Sequence, residues 1–130
     1  MKPEMLIEQA KMAMEKAYAP YSGFKVGAAL LSKDGSVYTG CNVENAAYSP
    51  TLCAERVAFG KAVSAGQREF AAIAVCGGKN GVIAGPCTPC GVCRQVMAEF
   101  CQKDFQIYVA TAEGYDCHSM EQLLPEAFLL

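Results

Sequence analysis

The sequence predicts an α/β protein: a three-layer α/β/α arrangement built on a mixed five-stranded sheet with helices on both faces. Three observations carry this. Helical and strand-like segments alternate along the chain. Two of the strand-like segments, Phe70–Cys76 and Phe105–Thr111, are nearly continuous apolar runs, as expected of strands covered on both sides. An early pair of β-rich stretches flanks Lys33-Asp34-Gly35, a hairpin signal that makes the sheet mixed. The expected order is α-β-β-α-β-α-β, with a further short strand near 115–118.

Taken in order, Leu6, Ala10, Ala13, Met14 and Ala17 recur at helical spacing and predict an amphipathic helix over 3–18, ended by Pro20. Its methionines, Met5, Met12 and Met14, suit core and subunit packing. Phe24–Ser32 and Ser36–Val43 form the hairpin strands. Ser49-Pro50-Thr51 opens a second helix reaching about residue 65, with Gly66 as its stop. The strand Phe70–Cys76 leads through a glycine-rich loop, Gly77–Gly85, to Pro86-Cys87-Thr88-Pro89-Cys90. The helix that follows places Val92, Val96, Met97 and Phe100 on one face. Beyond Phe105–Thr111, Ser119-Met120-Glu121-Gln122 fits a capping box for a short last helix.

The 130 residues make one domain, 1–130. Thirteen acidic against eleven basic side chains leave a net charge of −2, which argues against a nucleic-acid partner, because coating phosphates requires a basic stripe. The longest stretch without a charge, Asn80–Cys93, is 14 residues and contains two prolines, short of the roughly 20 needed to span a bilayer. The first residues lack the apolar run of a secretory leader, so a cytoplasmic location is expected. In that reducing setting the eight cysteines (41, 53, 76, 87, 90, 93, 101 and 117) point to metal binding, catalysis or burial in preference to disulfides.

The chemistry concentrates in Cys53-Ala54-Glu55-Arg56 and in Pro89-Cys90-Gly91-Val92-Cys93. A C-x-x-C pair at a helix start points two sulfurs the same way, and the helix dipole with its free N–H groups favours thiolate. Cys53 also opens a helix. Three thiolates, Cys53, Cys90 and Cys93, with no fourth protein ligand describe an open zinc site, its last position left to water. Glu55, two residues after Cys53, is the candidate proton shuttle. Three thiolates on Zn²⁺ carry a net negative charge that weakens the metal as a Lewis acid. Arg56 or Arg94 can offset it by hydrogen bonding to sulfur, and Arg56 is the preferred residue. Cys41, Cys76 and Cys101 lie in apolar patterns as small core residues, and His118, the only histidine, sits beside Cys117 and Ser119 in a polar turn. A four-ligand structural zinc module would have no reason for Glu55, Asn42 and Glu44, and a thiol–disulfide redox protein could use C-x-x-C but lacks a supporting redox context here.

Cys53-Ala54-Glu55-Arg56 together with Pro89-Cys90-x-x-Cys93-Arg94-Gln95-Val96 closely resembles the cytidine deaminases. The resemblance extends to Tyr18-Ala19-Pro20-Tyr21-Ser22-x-Phe24-x-Val26-Gly27-Ala28-Ala29-Leu30, to Cys41-Asn42-Val43-Glu44-Asn45-Ala46-Ala47-Tyr48 and to Leu123-Leu124-Pro125-x-Ala127-Phe128, and so runs from about residue 4 to 128. It implies the cytidine-deaminase fold and hydrolytic deamination of cytidine and 2′-deoxycytidine. One Zn²⁺ per chain would be held by Cys53, Cys90 and Cys93, with Glu55 as shuttle. Asn42 and Glu44 would bind ribose hydroxyls and Phe24 the pyrimidine, while Ala46 and Tyr48 would approach a neighbouring subunit's nucleoside and Phe128 would stack on the base from another subunit. Cysteine at position 53, on a chain this short, resembles the homotetrameric branch. Cys87 adds a second overlapping pair, Cys87-x-x-Cys90, similar to an iron–sulfur run. Because Arg94-Gln95-Val96 matches only when Cys90 and Cys93 are ligands, Cys87 is expected to be a bystander. The blasticidin type of nucleoside-antibiotic deaminase shares such zinc motifs, and the segment 42–48 favours cytidine.

Overall fold

The computed structural model describes residues 1–130 in the order α1 (Pro3–Met14), β1 (Phe24–Ser32), β2 (Val37–Cys41), α2 (Ala54–Ser64), β3 (Phe70–Lys79), α3 (Gly91–Phe100), β4 (Gln106–Ala110), β5 (Tyr115–Ser119) and α4 (Met120–Leu123). The five strands form one sheet in the order β2-β1-β3-β4-β5. Only β3 and β4 are parallel, joined by the α3 crossover, and every other neighbouring pair is antiparallel. The expected mixed sheet with helices on both faces is therefore present. No helix is long and apolar enough to cross a membrane.

The two faces of the sheet differ in side-chain size. Small residues, Ala29, Ala72, Ala74, Cys76 and Ala110, receive Leu6, Ile7, Ala10 and Met14 of α1. The opposite face carries Leu30, Ile73, Val75, Ile107 and Val109 beneath Ala58, Phe59 and Ala62 of α2 and Cys93 and Met97 of α3. Adjacent strand residues alternate between the two clusters, as the two-residue period of a strand requires. Glycines set the closest approaches. A Cβ on Gly27 would lie 2.0 Å from the Ala10 carbonyl oxygen in α1, and one on Gly40 would lie 2.4 Å from the Ala54 carbonyl oxygen in α2.

Several boundaries differ from the expectation for one reason: long-range pairing takes residues out of helices. α1 ends at Met14 and does not run to 18, because Tyr18 pairs with Val43. Its N–H donates to the Asn42 carbonyl, and its own carbonyl accepts from Glu44 N–H. The second helix starts at Ala54 and not near 49–51, because Leu52 pairs with Val43. β3 extends three residues past Cys76, where its last residue Lys79 pairs with Phe24. In α3, Val92 is exposed and Cys93 and Met97 face the core, so the helix is rotated from the expected face. His118 lies in β5 opposite Ile107 and not in a turn. Cys76 is buried, whereas Cys41 and Cys101 are only half-buried. The capping box is present as read: Ser119 Oγ accepts from Gln122 N–H, and Gln122 Oε1 accepts from Ser119 N–H.

Candidate active site

The sheet brings the chemistry to one edge. β2 and β3 each run antiparallel to β1 and so point the same way. The segments leaving their C-terminal ends lead to the starts of α2 and α3, and β1 begins there with Phe24. Ligand sites of open α/β sheets form at such strand ends.

Cys53 is the N-cap of α2 and Cys90 the N-cap of α3, and neither side chain caps its helix. Serine, threonine or aspartate would normally occupy these positions and accept from the free N–H groups. Cysteine leaves those groups and the positive end of each helix dipole to act on sulfur. The Sγ atoms of Cys53, Cys90 and Cys93 all lie within 4.8 Å of one another. Cys53 to Cys90 is 3.9 Å and Cys90 to Cys93 is 3.6 Å. Sulfurs bound tetrahedrally to zinc at about 2.3 Å stand about 3.8 Å apart. The trio thus fits a zinc ion in size, donor type and shape, with one coordination position left free of protein. Cys87 is not part of the trio, and burial pushes its thiol up to about 11.

The hydrogen bond from Cys93, followed by that from Arg56, holds the Cys53 thiol down to about 5, while sharing a proton with Cys53 drives Cys93 up. Arg56 donates through Nη2 to Cys53 Sγ at 3.4 Å and to the Thr51 carbonyl at 3.2 Å. Glu55 is buried in the first turn of α2. Desolvation pushes its carboxyl up to about 7, and the negative charge on Cys53 adds to this. A carboxyl poised near neutrality beside a metal site is suited to take and return a proton. Arg94 departs from the alternative considered for it: Nε donates to the Pro89 carbonyl at 2.7 Å and Nη1 to the Leu123 carbonyl at 2.7 Å, not to sulfur.

Around this cluster, Asn42 is buried and spans the start of β1, accepting from Val26 N–H and donating to the Phe24 carbonyl, both at 2.8 Å. It therefore holds the backbone that presents Phe24. A Cβ on Gly77 would come within 2.8 Å of Cys87 Sγ and 3.1 Å of Phe24 Cε1, so the bare strand there lets ring and thiol close together. Glu44 accepts from Tyr21 N–H at 3.0 Å, from Ser22 N–H at 3.1 Å and from the Ser22 hydroxyl. The Ser22 hydroxyl, with the two N–H groups, holds its carboxyl below the usual range. Glu44 and Tyr48 line a cleft of about 440 Å³ with Tyr21, Ser22, Asn45 and Thr51. Ala46 and Tyr48 lie on an exposed loop, and Tyr48 adopts φ +63°. Phe128 stands apart on the C-terminal tail, 70% exposed. The clasp of Tyr21 and Ser22 on Glu44 and the carbonyl contacts of Arg94 differ from what residue types suggest. Backbone partners leave no residue-type signal, although Ser22 offered one.

Three convergent thiols on two helix starts, with a buried acid beside them, form a cluster on an α/β/α sheet that could hold a zinc ion and serve hydrolytic chemistry. Residues 1–109 match the family model described as the cytidine and deoxycytidylate deaminase zinc-binding region. This chain belongs to that family. A cytidine deaminase of Sporosarcina psychrophila is 52% identical over 96% of this chain and 90% of its own length. One from Halalkalibacterium halodurans is 51% identical over 96% of this chain and 92% of its own. A crystal structure of cytidine deaminase from Burkholderia pseudomallei aligns with a TM-score of 0.90 at 51% identity, covering 98% of this chain and 100% of that one.

Proposed function

We infer that this chain is a zinc-dependent hydrolase that converts free cytidine and 2′-deoxycytidine to uridine and 2′-deoxyuridine with release of ammonia, a step of pyrimidine salvage. The observation that carries this is the sulfur trio of Cys53, Cys90 and Cys93 at tetrahedral spacing beside the buried Glu55.

Cys53, Cys90 and Cys93 would hold one zinc ion. When bound, zinc supplies water that ionises near neutral pH. Glu55 takes the proton of the attacking water and delivers it to ring N3 as oxygen adds at C4. It then carries the second proton to the exocyclic amine, so that the C4–N bond breaks and ammonia leaves. Arg56 lowers the charge on the thiolate set. Phe24 contacts the pyrimidine. Asn42 retains one Nδ2 hydrogen and one Oδ1 lone pair, and Glu44 has about one of a carboxylate's four acceptor positions left, enough for ribose hydroxyls. A base without its sugar would forgo these contacts, which disfavours free cytosine.

A homotetramer with shared active sites is supported by the apolar groups that one chain leaves in water. Tyr48 is 76% exposed and Phe128 70%, and Leu129 and Leu130 follow at the end of the tail. In that arrangement Ala46 and Tyr48 approach a neighbour's nucleoside, and Phe128 stacks on a base bound by another subunit. The eight free thiols suit a reducing cytoplasm.

The test follows absorbance and ammonia release from purified, zinc-assayed protein given cytidine, 2′-deoxycytidine or cytosine, with Glu55→Ala as control. Nucleoside turnover that disappears in the variant, with cytosine untouched, is the expected result. Inactivity of zinc-replete protein toward both nucleosides would overturn the reading.

A further inference from the structure

The side chains of Arg94 and Gln95, adjacent residues in the first turns of α3, both end on carbonyl oxygens of the C-terminal segment. Arg94 Nη1 donates to the Leu123 carbonyl at 2.7 Å, and Gln95 Nε2 donates to the Phe128 carbonyl at 3.0 Å. The same arginine uses Nε to hold the Pro89 carbonyl, one residue before Cys90. Between the two anchored carbonyls the chain bends at Glu126, which has φ +51°. Leu124 packs on the core, but Phe128, Leu129 and Leu130 are exposed. The tail beyond 124 is thus pinned by one side-chain hydrogen bond at Phe128 and steered by another at Leu123.

We propose that Arg94 and Gln95 are positioning residues that moor the C-terminal tail to the helix start bearing Cys90 and Cys93, and so set where Phe128 is presented. The proposal rests on the reading of Phe128 as a nucleoside contact, and its test separates the two. Both act through the tail, and the mooring fixes where the Phe128 backbone stands relative to Pro89 and Cys90 of the same subunit. A guanidinium suits the first position because two of its nitrogens, held in one plane, reach two separate carbonyls, whereas a lysine would have to serve both from a single nitrogen.

The experiment uses zinc-loaded full-length protein and two measurements: the rate at which carboxypeptidase Y removes Leu130, Leu129 and Phe128, followed by mass spectrometry, and KM with kcat for cytidine. Gln95 is exposed, so its variants are expected to fold, and thermal melts check that Arg94→Ala does too. Gln95→Ala and the isosteric Gln95→Glu, which has no donor, should speed trimming and raise KM by about two- to tenfold, the worth of one neutral hydrogen bond, with kcat within about twofold. Gln95→Lys, which keeps a donor, should behave like the parent. Combined with Phe128→Ala, Gln95→Ala should add nothing further to KM. Unchanged trimming in Gln95→Ala and Arg94→Ala would overturn the proposal, whatever KM does. So would faster trimming with parental KM if Phe128→Ala by itself raises KM. If Phe128→Ala leaves KM unchanged while Gln95→Ala still speeds trimming, the mooring stands and the nucleoside role of Phe128 falls.

Discussion

At the start of α2, Cys53 occupies the cap, Glu55 is buried in the first turn and Arg56 turns back to the Cys53 sulfur. At the start of α3, Cys90 occupies the cap and Cys93 is buried, but Arg94 and Gln95 turn away to carbonyls of the loop and the tail. In the proposed reaction, two helix ends with the same unusual cysteine cap would divide the work. One would supply charge control and a proton carrier. The other would supply two of the three sulfurs and the mounting for the tail. Cysteine at a cap gives up a hydrogen bond that serine would make and leaves the helix N–H groups to stabilise thiolate, trading local stability for metal affinity. α4, which bears no ligand, keeps the ordinary serine cap.

The largest effect should come from breaking the sulfur set on the α3 side. Cys90→Ser is expected to lower bound zinc from about one per chain to a small fraction by elemental analysis, while Cys87→Ser leaves it unchanged. Zinc retained in the first and lost in the second would move the ligand set to Cys87. Next, on the α2 side, Glu55→Gln should keep its zinc and lose about 10²- to 10⁴-fold in kcat, the usual worth of a positioned proton carrier. A loss under tenfold would remove Glu55 from proton transfer.

Arg56→Ala should cost about 10- to 100-fold in metal affinity or turnover, as for other groups that hydrogen-bond to a metal's ligands. Competition with a chromophoric chelator reads the affinity directly. The same substitution at Arg94 should move metal affinity less, since its guanidinium meets no sulfur, and an equal loss would erase the division between the two ends. The smallest effect is at α4, where Ser119→Ala should lower stability by about 1 kcal/mol, read as a melting shift with activity intact. In chelator-stripped protein, Cys90→Ser should show the opposite sign, because serine there gains the cap that cysteine lacks.

Features set by neighbours in sequence were legible from residue types. The bounds of β1, the hairpin at Lys33-Asp34-Gly35, the stop at Gly66 with φ +99° and the Ser119–Gln122 capping box all depend on local chemistry. The ends of α1 and α2 were not legible. Tyr18, Val43 and Leu52 are drawn into bridges with one another, and no local propensity encodes a partner so far along the chain. The facing of α3 was misjudged for a related reason: Val92 is as apolar as Val96, but turning Cys93 toward the sulfur cluster leaves Val92 in water.

By itself the sequence determined the inventory of the site: three thiols and an acid near helix starts, an arginine beside each pair, and the order of strands and helices that can hold them. Only the tertiary structure decided which sulfurs meet. β2 and β3 point the same way, and that brings Cys53 to within 3.9 Å of Cys90 while leaving Cys87 beside Gly77 and Phe24. The tertiary structure also decided the direction in which the Glu55 carboxyl is shifted, because burial, not residue type, raises a carboxyl toward neutrality. And it sent Arg56 to sulfur and Arg94 to carbonyls. Every residue carries a carbonyl, so only the path of the chain selects the two that Arg94 holds.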